Sequence, residues 1–243
     1  MGMSSYPNGW ANGVLIKGMP LLTLYPGKQF WVNNSGVLPD GGIGGSDTND
    51  GTYLKPLSTI DGAIGKCKAN RGDIICVMPG HAENVASAGA IACDVAGVAI
   101  VGLGLGTKRP TISFTTATAA AITVSAANVT LHNMIFNANF ADVAAAIIPT
   151  AANCTLSYCN FKQAGTDLNF VDYITPSGAA NTADGLTVDH CTGYGVDAAI
   201  NSALSITDDL QDLVFTHNRF NTDNANALAM ITCATGKDLN NCF

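Results

Sequence analysis

A short apolar word recurs from about residue 72 onwards, at intervals of 23 to 32 residues. The words VTLHNMIF, CTLSYCNF and LVFTHNRF alternate apolar and polar residues, which is the period of a β-strand. Their central apolar residues, taken as one column, are Val77, Ile100, Leu131, Leu156, Val188 and Phe215. Because strands and turns repeat at this period without an internal helix, we predict a β-solenoid in which like residues of successive coils stack.

Two further columns run beside the first. Two positions earlier stand Ile75, Val98, Val129, Cys154, Leu186 and Leu213, and five positions later stand Leu105, Phe136, Phe161, Gly193 and Phe220. We expect these columns to fill a dry core between parallel strands. Gly193 lacks a side chain in the aromatic column, and it therefore predicts a local irregularity.

The segments before the repeats have a different character. Residues 1–36 hold both tryptophans, and Pro20 and Pro26 break the apolar part of this segment into short extended pieces, so we expect an N-terminal arm. Residues 37–71 combine a loop with an amphipathic helix, Ser58–Lys68, that begins at Ser58 and would cap the open end of the solenoid. Residues 72–243 form the parallel β-helix. The arm either covers the core or docks on a partner, and its partner-binding candidates are Trp10, Leu15, Ile16, Leu21, Leu22 and Trp31.

Composition narrows the classes of partner. A net charge of −7 with eleven Lys and Arg, not clustered, argues against nucleic acid. No apolar run reaches the length of a membrane span, and the first residues lack the layout of a secretory signal. The eight cysteines form no CxxC pair. We expect mostly reduced core residues, with a Cys233–Cys242 disulfide as the alternative.

A fourth set of recurring positions, which we call the row, lies two residues beyond the central column. Its members are Gly102, Asn133, Tyr158, His190 and His217. With coils in register, His190 and His217 lie on adjacent coils, and Asp189 is close by. Two interpretations stay open: a metal site, or a polar ladder whose side chains satisfy the backbone of the next coil.

Two loop motifs imitate ligand sites. Asp47, Asn49 and Asp50 have the oxygen ligands of a calcium loop but not its spacing, so we favour a turn. The glycines of Gly102–Gly106 imitate a dinucleotide loop, but a strand rather than a helix follows them, which argues against nucleotide binding.

Residues for polysaccharide cleavage are scarce in the sequence. Glycoside hydrolysis uses two facing carboxylates, whereas Glu83 is the single glutamate and the aspartates mostly fall in turns. Elimination needs a cation near the base, and past residue 110 the chain offers Lys162, Arg219 and Lys237. We therefore predict a non-enzymatic protein without catalytic residues, cofactor or metal.

One long stretch carries a family resemblance. Its matching motifs are DGT at Asp50–Thr52, Pro56, TI-x-x-AI at Thr59–Ile64, GD-x-I-x-V-x-PG at Gly72–Gly80 and V-x-L-x-N-x-x-F at Val129–Phe136. The chain from residue 50 to about 220 thus resembles pectate lyase-like proteins. The resemblance implies an all-β fold, a right-handed parallel β-helix with an N-terminal capping helix and an extended arm. The lyases' catalytic arginine and calcium-binding aspartates have no match here, so the resemblance implies no catalytic residue.

The opening MGMSSYPNGWANGVLIKGMPLLTLYPGKQFWVNN is similar to the start of β-helix proteins of tailed bacteriophages. That resemblance implies a virion structural protein, most simply a trimeric capsid decoration (cement) protein. It would be assembled in the host cytoplasm and bound to the major capsid protein or another virion protein. The alternatives are a tail spike or fibre that binds a receptor, and a polysaccharide lyase or hydrolase. The runs Ala119–Ala121 and Ala144–Ala146 suit either close subunits of a homotrimer or crowded positions within a coil.

Overall fold

The computed structural model describes residues 27–196, 199–222 and 229–243, and the backbone of an antiparallel pair, Leu15–Ile16 with Met19–Pro20. The described chain winds as a parallel β-solenoid of about six turns. Its strands form three parallel sheets of seven, six and six strands. The all-β solenoid predicted from the repeats is therefore confirmed. No helix in this part of the chain is long and apolar enough to span a bilayer.

Each full coil adds one strand to each sheet in turn. The first sheet contains Gln29–Val32, Ile74–Val77, Ala99–Gly102, Thr130–His132, Thr155–Ser157, Thr187–Asp189 and Val214–Thr216. The second contains Ala82–Val85, Thr111–Phe114, Ile135–Ala138, Asn160–Gln163, Thr192–Gly195 and Arg219–Thr222. The third contains Ala88–Cys93, Ala121–Val124, Val143–Pro149, Phe170–Ile174, Ser202–Ile206 and Ala229–Cys233. A short parallel pair, Leu210–Gln211 with Leu239–Asn240, and a 3₁₀ turn at Gly106–Lys108 complete the regular structure.

Neighbouring coils pair residue for residue. The stacked central residues of the first sheet are Phe30, Ile75, Ile100, Leu131, Leu156, Val188 and Phe215. The prediction was wrong in the first coil, where Ile75 and not Val77 pairs with Ile100. Residues two apart on a strand share a face, so the sequence pattern alone fits either choice.

The aromatic column also needs one correction. Leu105 precedes the 3₁₀ turn and is 86% exposed. Its expected place is taken by Ile112, which is buried and pairs with Phe136. The turn inserted between the two strands of this coil moves the buried position seven residues along the chain, from 105 to 112. Counting five residues from Ile100 therefore does not find it.

Gly193 does not break the strand, because it pairs in register with Phe161 on one side and Phe220 on the other. The ring of Tyr173 occupies the missing side chain's volume. Its centroid lies 5.2 Å from that of Phe161 and 5.4 Å from that of Phe220. A Cβ at Gly193 would overlap Phe220 Cδ1 and would lie 2.9 Å from Tyr173 Cε2. The absence of a side chain at Gly193 therefore leaves room for the ring of Tyr173, which belongs to the third sheet.

The helix is shorter than predicted, running from Ile60 to Ile64, and its N-cap is Thr59 rather than Ser58. Asp47 Oδ1 accepts hydrogen bonds from the backbone N–H of Ser58 and of Thr59, both at 3.0 Å. Asp47 Oδ2 accepts from the Thr59 hydroxyl at 2.9 Å. The carboxylate thus holds the entry to the helix, which agrees with the turn interpretation of this loop.

Glu83 is a structural residue. Its Oε2 accepts from Ile60 N at 3.0 Å and lies 3.0 Å from Nε2 of the buried His81. His81 Nδ1 accepts from Asn34 N at 3.2 Å, so its proton is assigned to Nε2. The pair joins the first coil to the helix and to the preceding loop, so the Oε2 atom of Glu83 has a structural role.

Small and sulfur-containing residues belong mostly to the interior. All eight cysteines are free, and Cys233 and Cys242, the pair considered for a disulfide, are both exposed. Burial raises the pKa of Cys154 to about 12, so this thiol stays protonated. Ala120 and Ala146 are fully buried within the coils. Crowding inside the solenoid therefore accounts for much of the two alanine runs.

Asp73 anchors the start of the first full coil. Its buried carboxylate accepts from the backbone N–H of Lys28 at 2.7 Å and of Lys68 at 2.8 Å. The Arg71 guanidinium donates to both carboxylate oxygens at 2.6 Å. Burial alone would raise the pKa of Asp73, but these hydrogen bonds outweigh it and hold the pKa below its ordinary 3.8.

Replacing Gly193 by Ala should lower the free energy of unfolding by about 2 kcal/mol, because the added methyl group overlaps two packed rings. Urea unfolding followed by far-UV circular dichroism measures the change. Gly165→Ala is the control, since its Cβ would meet only Leu168 at 3.5 Å or more. An unchanged midpoint for Gly193→Ala would show that Tyr173 does not fill this space.

Asp73→Asn should lower the free energy of unfolding by about 3 kcal/mol at neutral pH, because Arg71 loses a buried anion. A carboxyl whose pKa is depressed by folding stabilises the fold above its unfolded pKa, and this stability is lost as pH falls through the folded pKa. The difference between wild type and variant should therefore shrink below about pH 4. The exposed Asp40→Asn serves as control, and equal stabilities at pH 7 would contradict the prediction.

Candidate functional site

The chain passes from the first sheet to the second through a tight turn that repeats on successive coils. Asn133, Tyr158, His190 and His217 occupy the turn with φ of 57°, 55°, 52° and 53°. Backbone bonds join these turns, from Tyr158 N to Asp189 O at 3.1 Å and from His190 N to Thr216 O at 3.2 Å. The left-handed conformation suits asparagine and is unusual for tyrosine. The turns therefore form a rigid row of side chains at one edge of the solenoid.

The side chains of this row divide into two kinds. Asn133 Nδ2 donates to the backbone oxygens of Gly102 at 2.7 Å and Gly104 at 3.1 Å. Tyr158 instead stacks on His190, with ring centroids 4.8 Å apart. His190 stacks on His217 at 4.5 Å. Asn133 therefore bonds the backbone of a neighbouring coil as a ladder does, but of the preceding coil instead of the next, whereas the two histidines bond a carboxylate.

One carboxylate holds both imidazoles. His190 Nδ1 lies 2.9 Å from Asp189 Oδ2, and His217 Nδ1 lies 2.9 Å from Asp189 Oδ1. The Thr216 hydroxyl donates to Oδ1 as well, at 2.9 Å. Hydrogen bonds from His190 and His217 hold the pKa of Asp189 well below its usual range, so it is an anion. We call Tyr158, Asp189, His190 and His217 the corner cluster.

The corner cluster leaves a proton acceptor exposed. Since Asp189 accepts from each Nδ1, a neutral imidazole in this setting carries its proton on Nδ1 and a lone pair on Nε2. The His190 and His217 side chains are 41% and 67% exposed. The two Nε2 atoms can therefore meet a ligand at the surface, and Asp189 would stabilise the imidazolium formed by proton transfer.

The row continues toward the N-terminal coils. His132 packs edge-on against Tyr158 with centroids 5.4 Å apart, and its Nδ1 lies 2.8 Å from the Ser157 hydroxyl. Desolvation lowers the pKa of His132. Arg109 Nη1 donates to the Tyr158 carbonyl oxygen at 3.0 Å. His132 lies one residue before the turn, in register with Ser157 and Asp189, and it is bonded to a hydroxyl instead of a carboxylate.

A groove of about 190 Å³ lies on the outer face of the second sheet. Its lining residues are Asn160, Thr192, Gly193, Tyr194, Arg219 and Asn221. Thr192 and Arg219 follow His190 and His217 by two residues, so the groove begins where the corner cluster ends. Asn221, with its amide oxygen toward Arg219, accepts from Nε and Nη2 at 3.3 Å. An exposed tyrosine, amides and a guanidinium are the groups that bind sugars and their carboxylates.

The structure describes only some of the arm residues that were predicted to bind a partner. Trp10, Leu21 and Leu22 lie outside the described residues, and Leu15 and Ile16 are described by backbone alone. Trp31 lies on the first strand of the first sheet, edge-on to Tyr53 with centroids 4.9 Å apart. Sequence reasoning missed the groove, whose signal was the position of Arg219 two residues beyond a histidine of the repeated row.

Comparison with known proteins supports the fold. The sequence matches no protein-family profile and no curated protein. The structure is similar to that of a rhamnogalacturonan lyase, with a TM-score of 0.52 and 13% sequence identity. The match covers 89% of this chain and 63% of the lyase chain. At this identity the likeness shows a shared β-helix architecture.

The prediction of a non-enzymatic protein is corrected by this finding, because the matched structure is an enzyme with the same fold. The prediction rested on counting acids and cations along the sequence. The solenoid instead gathers Asp189, two histidines and Arg219 from two adjacent coils.

Asp189→Ala should change the tautomer of both histidines. Without the carboxylate, Nδ1 loses its acceptor, and the proton moves to Nε2, the position preferred by a free imidazole. ¹⁵N NMR of labelled histidine measures the shift, with His132 as an internal control because its partner is Ser157. Nδ1–H signals that persist for His190 and His217 in the variant would contradict the assignment.

Proposed function

We propose that this chain binds an acidic polysaccharide across the corner cluster and the adjacent groove and cleaves it by elimination. The observation that carries the proposal is the pair of carboxylate-held imidazoles beside a groove that contains Tyr194 and Arg219. The likeness to a rhamnogalacturonan lyase supports it at the level of the fold. A polysaccharide is an extended ligand, and the row and the groove together offer an extended surface.

Elimination suits the described residues better than hydrolysis does. A glycoside hydrolase places two carboxyl groups on opposite sides of the scissile bond. The residues lining the groove include no carboxylate, and the corner cluster supplies Asp189, which is already bonded to both imidazoles. A base and a cation, by contrast, are both present as His217 and Arg219.

The chemistry follows from these positions. Nε2 of His217 takes the proton from the carbon next to the sugar carboxylate, and Asp189 stabilises the resulting imidazolium. Arg219 pairs with the sugar carboxylate and stabilises the charge that develops on it. The electron pair of the broken C–H bond forms a C=C bond as the bond to the glycosidic oxygen breaks. The leaving oxygen takes a proton from water.

The place of the chain on a phage particle stays a prediction from the resemblance of its first residues. The same prediction includes assembly as a homotrimer and binding to the major capsid protein or another virion protein. Cleavage of a polysaccharide is compatible with such a place, since a particle that reaches a cell meets surface polysaccharides. Light scattering of the purified chain would measure the oligomer directly.

Cleavage is measured by the ultraviolet absorbance of the unsaturated sugar that elimination leaves, on a panel of acidic plant and bacterial polysaccharides. His217→Gln should lower kcat by about 100-fold or more, because glutamine accepts no proton. Arg219→Ala should lower kcat/KM by about 100-fold, and Arg219→Lys by less, because lysine keeps the charge but loses the planar fork.

His132→Ala is the matched control, since it removes a histidine that lies beside the corner cluster and that Asp189 does not hold. It should retain activity within a few-fold. Products without an unsaturated end, or full activity in His217→Gln and Arg219→Ala, would overturn the elimination. Binding without cleavage would reduce the site to a polysaccharide-binding surface.

A further inference from the structure

We propose that Asp189, His190 and His217 form a binding site for a divalent transition-metal ion of the Zn²⁺ class, and that the bound ion switches the corner cluster off. The metal site stands on geometry alone. The switching rests on the proposed function, because it requires that His217 act as a base.

The three side chains converge on one point. Each offers one ligand atom, and the three atoms lie within 4.8 Å of one another. Both imidazoles turn Nδ1 toward the carboxylate, at 2.9 Å from its two oxygens. A tetrahedral ion with bonds of about 2.0–2.1 Å separates its ligand atoms by roughly 3.3 Å. The imidazoles therefore need to approach each other by at most about 1.5 Å, which exposed side chains can do.

The donor set selects the class of ion. Two imidazole nitrogens and one carboxylate suit Zn²⁺ and its neighbours, whereas Ca²⁺ and Mg²⁺ take oxygen ligands. Three protein ligands leave a fourth position for water, as in open zinc sites. The Thr216 hydroxyl, 2.9 Å from Asp189 Oδ1, would orient the carboxylate from behind.

The backbone fixes the three ligands before the ion arrives. Asp189 and His190 are consecutive residues, and His217 occupies the same turn one coil further on. The bond from His190 N to Thr216 O holds the two coils together at this turn. The side chain of Asn218 also joins the two coils. Its Oδ1 accepts from Cys191 N and its Nδ2 donates to Val188 O, both at 2.8 Å. The preformed turn lowers the entropic cost of ordering the ligands.

Metal binding and base catalysis exclude each other at this site. Without metal, Asp189 holds the proton on Nδ1 and leaves the lone pair on Nε2. An ion on Nδ1 takes the lone pair there, so a neutral imidazole must carry its proton on Nε2. His217 then has no free lone pair to receive a proton from substrate. The same three residues therefore give an active state without the ion and an inactive state with it.

Calorimetric titration of the full chain with zinc chloride tests the site without any polysaccharide. The experiment uses a Cys233→Ser/Cys242→Ser background, because exposed thiols also bind zinc. We expect one ion per chain, and binding at least about 10-fold weaker in His217→Ala and in Asp189→Asn. His132→Ala is the matched control and should bind as the background does. ¹⁵N NMR should place the ion on Nδ1 of His190 and His217.

The outcomes separate the two proposals. No binding, binding that survives His217→Ala and Asp189→Asn, or an ion on Nε2 would overturn the metal site whatever the chain cleaves. Zinc binding that leaves cleavage by the same preparation unchanged would overturn the switch. Binding with the predicted ligands in a chain that cleaves no polysaccharide would support the site, overturn the switch and refute the proposed function.

Discussion

The structure depends on the in-register stacking of like residues from one coil to the next. Each inward side chain is buried by its counterparts above and below, so Ile100, Leu131, Leu156 and Val188 are almost fully enclosed. Burying such side chains contributes roughly 1.5–3 kcal/mol each. This explains how a chain whose described residues include one short α-helix can hold a long core. The same stacking satisfies the backbone, because the strands of neighbouring coils bond to one another within each of the three sheets.

The same stacking brings the residues of the candidate site together on the surface of the solenoid. The turn between the first and second sheets repeats in register, and whatever side chain occupies it must lie over its neighbour. Asn133 uses the position to bond backbone, whereas Tyr158, His190 and His217 place three rings in a row. A carboxylate one residue before the middle of the row then reaches two imidazoles. A solenoid thus converts spacing along the chain into proximity on its surface.

Much of the fold could be predicted from the sequence, because the inward columns obey a period that burial enforces. The errors have local physical reasons. Val77 was preferred to Ile75 since both point inward, and Leu105 was counted into a column although a 3₁₀ turn carries it into solvent. The helix was extended beyond Ile64, because the apolar spacing continues where the backbone bonds change from the i→i−4 pattern to i→i−3 turns, as from Cys67 N to Ile64 O.

The sequence by itself determined the strand period, the inward columns and the row that contains His190 and His217. It also determined that acids and cations are few, but counting them led to the wrong conclusion about catalysis. Only the tertiary structure decided that Asp189 holds both imidazoles, that Glu83 serves the helix, and that Arg219 faces a groove. The physical reason is that side-chain partners on different coils are set by register and turn geometry. A one-dimensional pattern records which residues recur, but not which atoms meet.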